Sequence, residues 1–157
     1  MKHSLKTGVS FGITSGNITT IGLIVGLHSS THSRMVVIGG ILVIAISDAL
    51  SDAMGIHISE EAEHRHTEKE IWESTIATFL SKFFLSMTFL VPILFLELST
   101  AIVACVLWGL SLITLFSLYI ARQQGIRPHR PVIEHLGITA VVITVTHFLG
   151  DWVATLG

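Results

Sequence analysis

Long hydrophobic runs alternate with short polar stretches along the whole chain. A membrane-crossing helix needs about 20 largely apolar residues. Five segments meet that length, at 9–28, 35–58, 72–96, 100–121 and 132–154. The first is the most polar, holding Ser15, Asn17, Thr19 and Thr20, but Gly8, Gly12 and Gly16 form one i+4 stripe in it and Gly22 with Gly26 another. Small residues at that spacing let helix backbones approach closely in lipid. The second span carries Ala45, Ala49 and Ala53 on one stripe and Ser47, Ser51, Gly55 and Ser59 on another. The matching stripes predict that spans one and two form a closely packed pair.

The connections are short. HSSTHSR joins spans one and two, ELST joins spans three and four, and RQQGIRPHRP turns at Gly125, Pro128 and Pro131. The segment 59–71 is longer and heavily charged. Thr67 and Glu70 fit a capping box, so a helix should start near Thr67 and run into span three. Pro92 should bend that helix, because it has no N–H and its ring crowds the preceding turn.

Composition makes the chain a membrane protein throughout. Only 13% of the residues are charged, against roughly 25% in a soluble domain, and no polar stretch is long enough for a soluble domain. The expected architecture is all-α: one transmembrane domain over 1–157, a bundle of five helices in the lipid bilayer. The net charge of -2 does not suggest a nucleic-acid partner, and the single cysteine, Cys105, excludes an internal disulfide. The basic start MKHSLKTG lacks a following cleavage pattern, so a removable signal peptide is not expected. Lysine and arginine orient the bundle. With the N-terminus inside, Lys2, Lys6, Arg65, Lys69, Arg122, Arg127 and Arg130 are inside and Arg34 is outside, which favours N-in/C-out. A plasma or inner membrane is the expected location.

Charge inside the spans points to function. An ionisable residue at mid-span costs at least about 2.5–3.5 kcal/mol on insertion scales, so it normally has a partner or a task. Asp48 and Asp52 are four apart and share a helix face. With about 1.5 Å of rise per residue, Asp48 and Lys82 come to similar depth, and Ser15 and Asn17 of span one fall in the same half of the membrane. One reading is a structural ion pair, with Asp52 satisfied by hydroxyls. The other is a hydrated cation site, since carboxylate, hydroxyl and amide oxygens suit hard divalent cations and imidazole suits transition metals.

Beyond Asp52 the same helix leads to His57 and then to Glu60, Glu61, Glu63 and His64, with His66 close behind. Glu60 and His64 are i, i+4, so a continuing helix would make them a surface metal pair. The bland alternative is a solvated acidic face. At the opposite end, His28 with His32 and His147 with Asp151 repeat the i, i+4 spacing. The first pair holds only if the helix continues, and Ser29 and Ser30 suggest that it frays; the second is equally readable as a hydrogen-bonded helix end near Trp152.

The chain resembles the vacuolar iron transporter family. GNITTIGLIVGL at 16–27 is similar to the family's first-helix pattern G-L-V-T-T-F-G-L-V-A-G. ALSDAMGIHIS at 49–59 is similar to A-L-S-M-A-A-G-E-Y-V-S of its second helix, and glutamates come after it as they do there. Ser15 stands where the family has an aspartate, and Asp52 where it has a methionine, both in the family's cation pathway. Ile56 and His57 replace its Glu and Tyr, and the long cytoplasmic insertion of the plant members is missing.

The resemblance implies a homodimer that moves Fe2+ or Mn2+ out of the cytosol in exchange for protons. On that reading the chain is not an enzyme and has no tightly bound cofactor; the divalent metal is its substrate. Asp48, Asp52, Ser15, Asn17 and Lys82 would line the pathway. Asp48, Asp52, His57, Glu60, Glu61, Glu63 and His64 would be the metal ligands. Two alternatives stand beside it: an intramembrane metal-dependent hydrolase, and a membrane assembly or sensor protein that transports nothing.

Overall fold

The computed structural model describes residues 3–156. Met1, Lys2 and Gly157 lie outside the described residues, and Lys2 is one of the charges used to orient the chain. The described chain is helical, with α1 His3–Thr31, α2 Arg34–Ala62, α3 Glu68–Thr88, α4 Leu90–Phe95, α5 Leu98–Gln124 and α6 His129–Ala154. Taking α3 and α4 as one interrupted span, five helices are long and apolar enough to cross a membrane. This is the architecture of a multi-pass membrane protein.

Local sequence accounts for the helix ends. Thr67 and Glu70 make both halves of the capping box that starts α3. Gly125 closes α5 with a φ of 67°, a left-handed conformation that costs glycine little. Pro92 acts four residues before itself: it offers no N–H to the carbonyl of Thr88, and α3 stops at Thr88. Phe89 N–H turns back to Ser86 O at 3.2 Å, and α4 resumes at Leu90. Arg34, at the start of α2, donates to the carbonyls of Ile93 (2.8 Å) and Leu96 (2.7 Å) at the end of α4.

The glycine stripes do their packing elsewhere than between α1 and α2. Gly8, Gly12 and Gly16 face Ser74, Thr78 and Lys82 of α3, and one turn further Thr20 Oγ1 lies 2.9 Å from Ser86 Oγ. Every one of these pairs is 66 positions apart, the separation of Thr20 and Ser86. Such a constant offset means that α1 and α3 run parallel in register. A β-carbon on Gly12 would stand 2.6 Å from the Thr78 carbonyl oxygen, so the close approach requires glycine there. Gly22 and Gly26 instead meet Val142 and Thr146 of α6. On α2, Ala45, Ala49 and Ala53 are buried, whereas Ser47, Ser51, Gly55 and Ser59 point out of the bundle.

The interior changes character along its length. At the end where α1 finishes, Ile21, Ile24, Val37, Ile41, Phe89, Ile93 and Cys105 form a close apolar core. At the end where α1 begins, the buried residues are mostly polar: Ser4, Glu60, Ser74, Thr75, Thr78 and Lys82. The column Ser74, Thr78, Lys82 and Ser86 gives α3 a fully buried polar face, and the glycine column of α1 makes room for it. Lys82 is the largest fully buried side chain in the described chain.

Candidate functional site

Lys82 anchors the charged centre. Its Nζ lies 2.5 Å from Asp48 Oδ2, contacts Asp52 Oδ2 and donates to Ser15 Oγ at 2.9 Å. Lys82 donates hydrogen bonds to Ser15 and Asp52, whereas its contact with Asp48 is an ion pair in which the buried Asp48 Oδ2 accepts no hydrogen bond. Ser15 accepts from the lysine and donates to Asp52 Oδ2 at 2.5 Å, which closes a triangle of α1, α2 and α3 side chains. The stem of Lys82 reaches this point by lying over Gly16, where a β-carbon would be 3.0 Å from Lys82 Cγ.

The carboxylates are the accessible part of the cluster. The lysine side chain is 0% exposed, whereas Asp48 is 30% and Asp52 21% exposed. With all three groups ionised, two negative charges share one positive charge, and the surplus negative charge sits on the open side. Either a proton or a further cation would balance it. The arrangement is therefore suited to exchanging small positive charges along the flank of α2.

Asn17, expected in the same group, faces α5. Its Nδ2 donates to Gly109 O at 2.9 Å, while its Oδ1 is buried without a partner. Two residues of helix separate it from Ser15 by more than half a turn, which sends the two side chains to opposite sides of α1.

The acidic run past Asp52 divides into separate parts. His57 Nδ1 lies 3.0 Å from Thr75 Oγ1, and its ring sits edge-on to Trp72. Thr75 already donates to Ile71 O, so it accepts from His57 Nδ1–H and leaves Nε2 as the imidazole's acceptor. His57 and Glu61 then border a small cavity with Glu68, which the spacing pattern had not singled out. Glu60 turns the other way, is 6% exposed and accepts from Ser74 Oγ at 2.5 Å. The i, i+4 pair of Glu60 and His64 does not form. Helix α2 ends at Ala62, and His64 is exposed in a left-handed turn with φ 51°. Glu63 lies 3.5 Å from His66 instead.

At the opposite end, α1 continues to Thr31 and the rings of His28 and His32 come within 5.0 Å. His147 bridges helices: Nδ1 is 2.6 Å from Ser29 Oγ and Nε2 is 3.5 Å from Asp151. Ser29 was not visible as its partner, because the two lie 118 positions apart and share no local pattern. Among the described residues, no three His, Cys, Asp or Glu side chains are grouped so as to hold a metal ion.

No protein-family model, no curated protein and no solved structure matches the chain.

Proposed function

We infer that the protein is a cation transporter that moves a divalent ion of the Fe2+ or Mn2+ type out of the cytosol in exchange for protons. The observation that carries this reading is the pair Asp48 and Asp52, which share the single ammonium of Lys82 and keep a surplus negative charge on their open side. In this mechanism the lysine is a tethered competitor for the site. A cation arriving along α2 takes the carboxylates from Lys82, and protonation of the carboxylates releases it again. His57, Glu61 and Glu68 would receive the ion first, at the end of α2 that leads to Asp52. The resemblance of 16–27 and 49–59 to vacuolar iron transporters supports the same cargo, the N-in/C-out orientation and a homodimer.

Flux in proteoliposomes tests this directly. Uptake of Fe2+, Mn2+ and Zn2+ is measured across an imposed pH step, with the unaltered chain, Asp52→Asn and the double variant Asp48→Asn/Asp52→Asn. Asp52→Asn should abolish flux while the helical protein remains intact. Transport that survives in the double variant rules the mechanism out. One observation favours a second reading: Lys82 is fully buried and touches Ser15, Asp48 and Asp52 at once, as in a purely structural staple between α1, α2 and α3. That reading predicts no flux of any of these ions in the unaltered protein.

A further inference from the structure

The segment HSSTH at 28–32 places two histidines four apart where α1 finishes, at the end of the bundle away from His57 and Glu61. That spacing brings two side chains to one face only where the helix continues, and it does. Helix α1 runs to Thr31, and His32 N–H still donates to His28 O at 2.9 Å. The hydroxyls between them do not unwind the end: Ser30 Oγ and Thr31 Oγ1 fold back onto the Leu27 carbonyl at 3.2 and 2.7 Å. His32 then leaves the helix with φ 50°, a left-handed conformation that glycine or asparagine adopts more readily.

The two rings lie 5.0 Å apart, centre to centre, with their planes tilted by 53°. Two imidazoles on one metal ion need nearly that separation. With metal–nitrogen bonds of about 2.0–2.1 Å and tetrahedral coordination, the ring centres stand about 5.2 Å from each other. Nδ1 of His28 is buried and has no hydrogen-bond partner, while His32 is exposed, so an ion can reach the pair from outside. The other titratable side chains of this end are engaged elsewhere. His147 holds Ser29 through Nδ1 and faces Asp151 through Nε2, and Arg34 donates to the carbonyls of Ile93 and Leu96.

We propose that His28 and His32 form a binding site for a transition-metal ion of the Zn2+ or Cu2+ class, with water completing its coordination. Two histidines at i, i+4 on one helix face are a recurrent way of presenting two neutral imidazole nitrogens to such an ion. Nitrogen ligands favour Zn2+ and Cu2+ over Mn2+, in keeping with the general order of divalent-metal affinities. The site thus differs in kind from the oxygen-bearing pair Asp48 and Asp52. It goes beyond the transport reading and holds whether or not those carboxylates carry an ion.

Competition between the full chain in micelles and a chromophoric chelator tests the site, with Zn2+ and Mn2+ as probes. One equivalent of Zn2+ should bind about ten-fold or more tighter than Mn2+. His28→Gln and His32→Asn should each weaken that equivalent by about ten-fold or more, since even the loss of an outer partner of a metal ligand costs as much. Asparagine keeps the left-handed backbone at position 32 and drops only the ring, so this variant carries little risk to the fold. His147→Gln and His66→Gln, whose rings lie outside the pair, should leave the equivalent unchanged. The first equivalent of Cu2+ should show splitting from two nitrogens in its electron paramagnetic resonance spectrum, reduced to one in His32→Asn. Zn2+ held no more tightly than Mn2+, full binding in His32→Asn, an equal loss in His147→Gln, or a Cu2+ spectrum that His32→Asn does not change would each overturn the site.

Discussion

Gly16 lies against the stem of Lys82, so closely that a β-carbon at position 16 would stand 3.0 Å from Lys82 Cγ and 3.3 Å from Lys82 Cα. The charged centre therefore depends on a residue with no charge and no side chain. The same holds one turn away at Gly12, where the obstacle is the Thr78 carbonyl oxygen at 2.6 Å. A backbone atom cannot swing aside as a lysine methylene can. Overpacking a close contact typically costs about 1–3 kcal/mol. Gly12→Ala should fall at the upper end of that range and Gly16→Ala at the lower end. Gly39→Ala and Gly55→Ala, where a β-carbon meets nothing within 4 Å, should be neutral or slightly stabilising. Equilibrium unfolding in mixed micelles gives the order; if Gly39→Ala loses as much as Gly12→Ala, the registered packing of α1 on α3 is wrong.

Removing the lysine should be worse than removing the whole cluster. Lys82→Met leaves Asp48 and Asp52 without their shared cation, and breaking a buried pair from one side typically costs about 3–5 kcal/mol. Neutralising all three groups, as Lys82→Met/Asp48→Asn/Asp52→Asn, removes the uncompensated charge and should recover much of that loss. The same unfolding assay distinguishes the two. A triple variant no more stable than Lys82→Met alone would show that the three charges do not act as one unit.

These relationships divide into those legible in the sequence and those that are not. Hydrophobic run length located all five spans, and local chemistry located the capping box at Thr67 and the break before Pro92. Rise per residue brought Asp48 and Lys82 to the same depth, and the structure pairs them. Depth is a one-dimensional property of each helix; the rotation of each helix, and hence which helix it faces, depends on contacts far apart in sequence. The glycine stripe of α1 was recognisable, but its partner is α3, whose matching column of Ser74, Thr78, Lys82 and Ser86 does not read as a packing stripe. Asn17 and Ser15 separated for the same reason, and Glu60 parted from His64 because α2 ends between them.

Glu60 offers a test of the polar half of the interior. It is 6% exposed and its Oε2 accepts from Ser74 Oγ at 2.5 Å. A hydrogen bond to a charged group contributes about 1.5–3 kcal/mol. Ser74→Ala should cost that much, since the carboxylate stays buried with a partner removed. Adding Glu60→Gln to Ser74→Ala should cost little more, because a neutral amide tolerates the loss better than a carboxylate does. Additive losses in the double-mutant cycle would mean that Glu60 and Ser74 are not coupled.

Arg34 and Arg130 separate a structural arginine from an exposed one. Arg34 ties α2 to α4 by donating to the carbonyls of Ile93 and Leu96, at 2.8 and 2.7 Å. Those carbonyls lie in and just past the short helix that Pro92 sets apart, and the C-terminal end of a helix favours a cation. Arg130 pairs with Glu134 at 3.2 Å on the surface, with the two side chains 83% and 58% exposed. Exposed pairs of this kind contribute about 0–1 kcal/mol. Arg34→Met should therefore destabilise by at least about 1.5 kcal/mol, the lower figure for one bond from a charged donor. Arg130→Met should leave stability nearly unchanged. The loss at Arg34 should also persist in high salt, because its partners are fixed carbonyl dipoles at contact distance and not a distant charge that the solvent ions can screen. Measuring both variants at low and high ionic strength decides the matter. If Arg34→Met is harmless, or its cost vanishes in salt, the link from α2 across to α4 does not hold the interrupted span in place.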